Sequence, residues 1–195
     1  MWLVYFLKIN AMISTLFFML SFGWSSPNEN TFGFDFGQSA EKCHDWVLVT
    51  DNVMGGVTTA QLTYTEDALL LTGDLSLKNF GGFASVKTLF QTFDVSAYQG
   101  VEIRFRSTGQ SFVFTLENSR NWTRPNYKSP VFKSKNGQWE TVRLYFKAFK
   151  EYQIGEPTGV GLPAEKLSQM VRLGCMTAEK KEGTFSLEID ALAFF

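Results

Sequence analysis

Alternation with a period of two constrains this chain more than any other feature. Val101, Ile103 and Phe105 alternate with Glu102, Arg104 and Arg106, and Phe112, Phe114 and Leu116 alternate with Val113, Thr115 and Glu117. Successive side chains of a β-strand point to opposite faces, so each run buries one face and wets the other, as antiparallel sheets do. Further strands are expected at Trp46–Thr50, Val57–Tyr64, Ala68–Leu75, Phe83–Phe90, Val131–Lys133, Trp139–Phe146, Val171–Cys175 and Thr184–Phe195, with Phe185, Leu187 and Ile189 facing inward. Turn signals such as Glu66-Asp67, Gly109-Gln110 and Asn136-Gly137 separate them. Only Pro163–Met170 reads as helical, with proline in the first turn and Glu165 complementing the helix dipole. Many short strands without strand–helix–strand alternation predict an all-β sandwich or jelly roll with at most one short helix.

Such a core needs apolar material, and 45% of the 195 residues are hydrophobic, including 20 phenylalanines. That suffices for one domain, assigned to 32–195. Eighteen basic residues against 19 acidic ones leave no global field to draw in polyphosphate, so nucleic-acid binding is not expected. Residues 1–25 are of another kind, because Trp2 to Trp24 is nearly continuously apolar. Lys8, the stretch Met12–Leu20 and the small residues of Ser21-Phe22-Gly23 or Gly23-Trp24-Ser25 supply the parts of a signal peptide. The stretch also approaches the length of a membrane anchor. Cleavage would make the protein exported, periplasmic or secreted; without it the protein is membrane-anchored and touches the membrane through this segment. A start at Met12 would remove Lys8 from the leader. Residues 26–31 are a polar linker. The two cysteines, Cys43 and Cys175, fit no metal-ligand spacing. They suit either one disulfide in an exported protein or two buried thiols.

Asp51-Asn52-Val53-Met54-Gly55-Gly56-Val57-Thr58 stands out from this β pattern, since paired glycines between strands mean that something there needs bare backbone. A second pair follows in Asn79-Phe80-Gly81-Gly82-Phe83-Ala84-Ser85-Val86-Lys87, and the two loops are expected to pack together. With Trp46, the stretch Asp94–Gly100, Gly137-Gln138-Trp139 and Phe185–Asp190, these segments resemble the complex I intermediate-associated protein 30 family from about Phe34 to Phe195. The resemblance implies a galactose-binding-like β-sandwich and a non-catalytic, chaperone-like role in NADH:ubiquinone oxidoreductase assembly. It implies a protein partner, a membrane complex or its subunits, and a structural role for Asp51, Asn52, Met54, Gly55, Gly56, Gly81, Gly82, Ser85 and Lys87. Thr58 replaces the family's usual serine, and Lys87 its usual arginine, which loses the bidentate fork. Arg106–Gln110 lacks the acidic-glycine turn often found there. An exported domain would also stand across the membrane from complex I assembly.

No catalytic constellation is legible. His44, the single histidine, adjoins Cys43 and Asp45, but neighbours on a strand point to opposite faces. G-x-S-x-G, H-E-x-x-H and P-loop motifs are absent, so neither an enzyme activity nor a cofactor is expected. Asp51, Glu188 and Asp190 form a weak set of oxygen ligands for calcium, should the last strand run beside the first loop; otherwise they cap turns and face solvent. The connection holding Asn118, Trp122, Arg124 and Tyr127 is polar and aromatic, the kind of surface that stacks on sugars or peptides. It supports an alternative function, an exported carbohydrate-binding domain with a glycan ligand. Trp46 and Trp139 are expected in the core.

Overall fold

The computed structural model describes residues 32–37 and 46–195, so the expected leader and linker, Cys43 and His44 lie outside the described residues. Its strands are β1 Gly33–Asp35, β2 Trp46–Thr50, β3 Thr59–Tyr64, β4 Leu69–Leu75, β5 Ala84–Thr88, β6 Gly100–Thr108, β7 Phe112–Glu117, β8 Asn126–Lys128, β9 Glu140–Tyr145, β10 Lys150–Gln153, β11 Glu156–Gly161, β12 Arg172–Thr177 and β13 Gly183–Phe194. One sheet runs β3-β4-β13-β6-β9, with β1 also paired to β13; the other runs β11-β10-β8-β7-β12-β5-β2. The expected antiparallel sandwich is the observed fold.

Period-two faces build its core. Val101, Ile103 and Phe105 of β6 and Leu187 and Ile189 of β13 meet Phe112, Phe114 and Leu116 of β7 and Leu173 and Cys175 of β12, all at most 1% exposed. Beside them Phe132 packs edge-on against Phe105, with ring centres 4.8 Å apart. A register shift between Ile189 and Ala191 bulges β13, where its neighbour changes from β4 to β1.

Several local expectations are corrected. Pro163–Met170 is a 3₁₀ turn at Ala164–Gln169 whose only buried residue is Leu167, too small an apolar face to hold an α-helix. Val131–Lys133 reduces to one bridge, Phe132 with Phe112. Strands β1, β8, β10 and β11 were not foreseen. The β10–β11 hairpin turns at Ile154-Gly155, with φ of 50° and 84°, so an isoleucine occupies a position where asparagine usually signals the turn. Trp46 is in the core at 3% exposure, whereas Trp139 lies on the outer face of the six-stranded sheet beneath Arg104 and Arg106, 5.5 and 4.9 Å from its ring centre. Among the described residues no helix is long and apolar enough to cross a membrane.

Candidate binding groove

The two glycine-rich loops meet around one carboxylate. Asp51, fully buried, accepts hydrogen bonds from the Thr58 N–H (3.0 Å) and hydroxyl in its own loop and from the N–H groups of Gly82 (2.6 Å) and Phe83 (3.3 Å) in the other. Burial alone would raise this carboxyl, but the bonds from Gly82, Thr58 and Phe83 outweigh it and hold it below the ordinary value of 3.8. The glycines make room for the carboxylate. A Cβ on Gly56 would lie 2.4 Å from Asp51 Oδ1, and one on Gly81 2.6 Å from Oδ2. Thr58 keeps the hydroxyl this latch needs, and Asn79 adds a bond from its amide to the Gly55 carbonyl, 3.1 Å. Ser85, also buried, donates to the Val49 carbonyl and ties β5 to β2.

What the latch displays is apolar. Met54 is 56% exposed, and Phe80 is 97% exposed on a backbone with φ of 58°, a conformation costly for a residue with a side chain. Both stand on the rim of a groove of about 720 Å³ over the outer face of the seven-stranded sheet. Trp122, Val131 and the Ile154–Glu156 turn line it further along. The concavity is deep enough that Val113 and Thr115, which alternate with the core residues of β7, are only 5% and 3% exposed.

Strand register sets the charge of the groove. Lys87 pairs with Gly174, Gly174 with Thr115, Thr115 with Lys128 and Lys128 with Lys150, so one row across five strands carries three lysines. Gly174 leaves space over which the Lys87 side chain crosses to form an ion pair with Glu117; a Cβ there would come within 2.7 Å of Lys87 Cγ. The Lys128 ammonium sits 4.3 Å from the ring centre of Tyr152. Burial, then the charges of Lys180 and Lys87, push this amine down to about 8, with Glu156 opposing. Among the described residues Lys128, Lys150 and Lys180 form no ion pair, and the buried Oδ1 of Asn126 has no hydrogen-bond partner.

The residues singled out from sequence scatter. Trp122, 70% exposed, lines the groove; Asn118 is half-buried, and Arg124 is exposed but outside the lining. Tyr127 is no surface contact: it lies opposite the core residue Leu116 at 2% exposure, and burial together with Glu151 pushes its hydroxyl up to about 12. Asp51, Glu188 and Asp190 do not converge on a cation. Asp51 is spent on the latch, Glu188 pairs with Arg106 and Asp190 with Arg104, and no metal-ligand cluster occurs among the described residues. Cys175 is a fully buried thiol that burial pushes up, while Cys43, its partner in the disulfide alternative, is outside the described residues. Lys128, Lys150 and Tyr152 were missed because their strands were missed, and Ile154 because it turns between two of them.

The protein is an antiparallel β-sandwich with a lined groove on one outer face, a concavity of the size that can take a ligand. The family model for complex I intermediate-associated protein 30 matches residues 34–189, and the chain belongs to that family. No curated protein matches it in sequence. Among solved structures it is similar to the family 11 carbohydrate-binding module of the cellulosomal cellulase Lic26A-Cel5E of Clostridium thermocellum, with 14% identity, 84% of this chain and 93% of that one covered, and a TM-score of 0.60. The Clostridium thermocellum family 11 module in complex with a β-1,3-1,4-mixed-linked tetrasaccharide gives 16% identity, 85% and 95% coverage and a TM-score of 0.58. An agarase, AgWH50C, matches over 82% of this chain but 24% of its own length, at 14% identity and a TM-score of 0.53. At these identities the likeness is one of fold.

Proposed function

We propose that this protein is a non-catalytic holding module that binds a protein partner, a membrane complex or its subunits, in the groove of the seven-stranded sheet. The observation that carries this reading is the rim. Phe80 and Met54 are held outward by loops whose buried latch fixes their backbone, and exposed aromatic and methionine side chains on a rigid frame are what protein interfaces use as anchors. Family membership supports the same reading. With its leader cleaved the module works as an exported protein, and with the leader kept it is membrane-anchored; the amino-terminal residue and compartment of the mature protein test that part. A photoreactive amino acid at Trp122 or Phe80 tests the holding function. Discrete adducts from these positions, absent from Arg143 on the opposite sheet, are expected in native membranes; silence at both groove positions overturns it.

A second reading, a carbohydrate-binding domain, is favoured by the fold likeness to family 11 modules together with Trp122 and Tyr152 in the groove, whose rings offer stacking surfaces. Titration with a mixed-linkage β-glucan decides it, since a glycan reader shifts its tryptophan fluorescence and a protein holder does not.

A further inference from the structure

We propose that the groove takes an extended acidic segment of its partner, laid across the strands so that carboxylates meet the in-register row of Lys87, Lys128 and Lys150 while apolar side chains meet Met54, Phe80 and Ile154. This rests on the holding function above and names the chemistry of what is held.

Three observations carry it. The first is sign: among the described residues the groove is lined by Lys87, Lys128, Lys150 and Lys180 against Glu117 and Glu156, and once Lys87 and Glu117 neutralise each other, Lys128, Lys150 and Lys180 still stand against Glu156. Like charges directly opposite on adjacent strands repel, and Lys128 faces Lys150 in that relation. An anion from outside removes that repulsion. The second is spacing. Strands stand about 4.8 Å apart, so Lys87 and Lys128, three strand steps apart in one row, are separated by roughly 14 Å at the backbone. An extended peptide rises about 3.4 Å per residue, which puts same-face residues i and i+4 at that same distance. The third is the rim, where Phe80, Met54, Val131 and Ile154 offer aliphatic and aromatic knobs suited to apolar side chains. Recognition of a neutral glycan gains nothing from net charge, whereas the charged groups lining this groove are four lysines against two glutamates. That contrast favours the acidic peptide.

The groups facing Lys128 are Lys87 from β5, Glu117 from β7, Lys150 and Tyr152 from β10, Glu156 from β11 and Lys180 beyond β12. A bound carboxylate favours the charged amine, so affinity falls as pH rises past about 8.

The test titrates the full-length chain with a fluorescent extended peptide carrying Glu at i and i+4 among valines and phenylalanines. Controls are the same peptide with Lys for Glu, polygalacturonate and a mixed-linkage β-glucan. The Glu peptide is expected to bind, to weaken with added salt and to lose about tenfold in affinity in Lys128→Gln and in Lys150→Gln, with Arg143→Gln unchanged. Circular dichroism confirms that each variant is folded. Equal binding of the Lys peptide, no binding of the Glu peptide, or no effect of either lysine variant overturns the proposal. Polygalacturonate binding without peptide binding makes the row a site for anionic glycans and overturns it too. Should Trp122 cross-link a partner that Lys128→Gln retains as well as wild type, the holding function stands and the acidic occupant falls. Silent cross-linking with intact peptide binding means the opposite, that the row recognises acidic chains while the holding function falls.

Discussion

The outer faces of the two sheets are built from the same kind of strand yet differ in how far they answer their own charges. On the six-stranded sheet, Arg106 lies opposite Glu188 and bonds to it at 2.6 Å, Glu102 lies opposite Arg143, and Arg104 reaches Asp190 at 2.6 Å beside the bulge. Each guanidinium finds a carboxylate on the neighbouring strand, and Trp139 lies beneath two of them. That face answers its own charges. On the seven-stranded sheet, register puts Lys128 against Lys150, while Glu117, opposite Arg172 and outside the row, takes up Lys87. Cross-strand pairs of opposite sign stabilise a sheet and like pairs weaken it. Sheet stability therefore explains the first face and leaves the Lys128–Lys150 pair of the second unexplained.

The largest expected effect breaks the groove without touching its lysines. Asp51→Ala leaves the N–H groups of Thr58, Gly82 and Phe83 without their acceptor, and should cost about 3 kcal/mol in urea unfolding. The rim then loses its frame while β5, β12, β7, β8 and β10 keep their register. Peptide binding surviving in Asp51→Ala would show that the lysine row works without the rim. The latch also carries a pH signature. A carboxyl held below 3.8 in the fold stabilises it fully above that value, and the contribution is lost as pH falls through the lower folded value. Wild type should lose this acid-side stability, and Asp51→Ala should have none to lose.

How much of this was legible in the sequence depends on how far apart the cooperating residues are. The faces of β6 and β7 could be read because six residues of strict alternation fix them locally. Asp51 was visible as a turn residue, but its role as a latch was not, since two of its donors arrive from Gly82 and Phe83 some thirty residues on. Tyr127 was misplaced because β8 is three residues long, and only pairing with β7 decides which of Asn126, Tyr127 and Lys128 turns inward. The lysine row was beyond reach altogether. Residues 87, 128 and 150 become neighbours only through register, and a slip of one residue would turn each side chain to the other face.

Two smaller predictions sharpen the contrast between the faces. Lys128→Met removes a like charge from the row and should stabilise the fold by roughly 0.5–1 kcal/mol, an unusual direction for losing a half-buried charge. Thermal denaturation measures it, and a destabilised variant would mean that the Tyr152 contact outweighs the repulsion. The pH dependence has a definite sign. Lys128 titrates near 8 in the fold against 10.5 in the open chain, so between those values the unfolded state binds more protons and wild-type stability rises with pH. That rise should flatten in Lys128→Met.

The smallest effect belongs to the opposite face, where Glu188→Gln breaks one member of the charge ladder. Arg106 and Glu188 keep 43% and 20% of their side-chain surface exposed, and the loss should be only about 0.5 kcal/mol, shrinking further in salt. Arg106 retains its place over Trp139, so the variant should keep its fold and bind the acidic peptide as wild type does. If Glu188→Gln weakened peptide binding as Lys128→Gln is expected to, the two faces would be coupled through the core, and the division between a face that closes on itself and a face that waits for a partner would not hold.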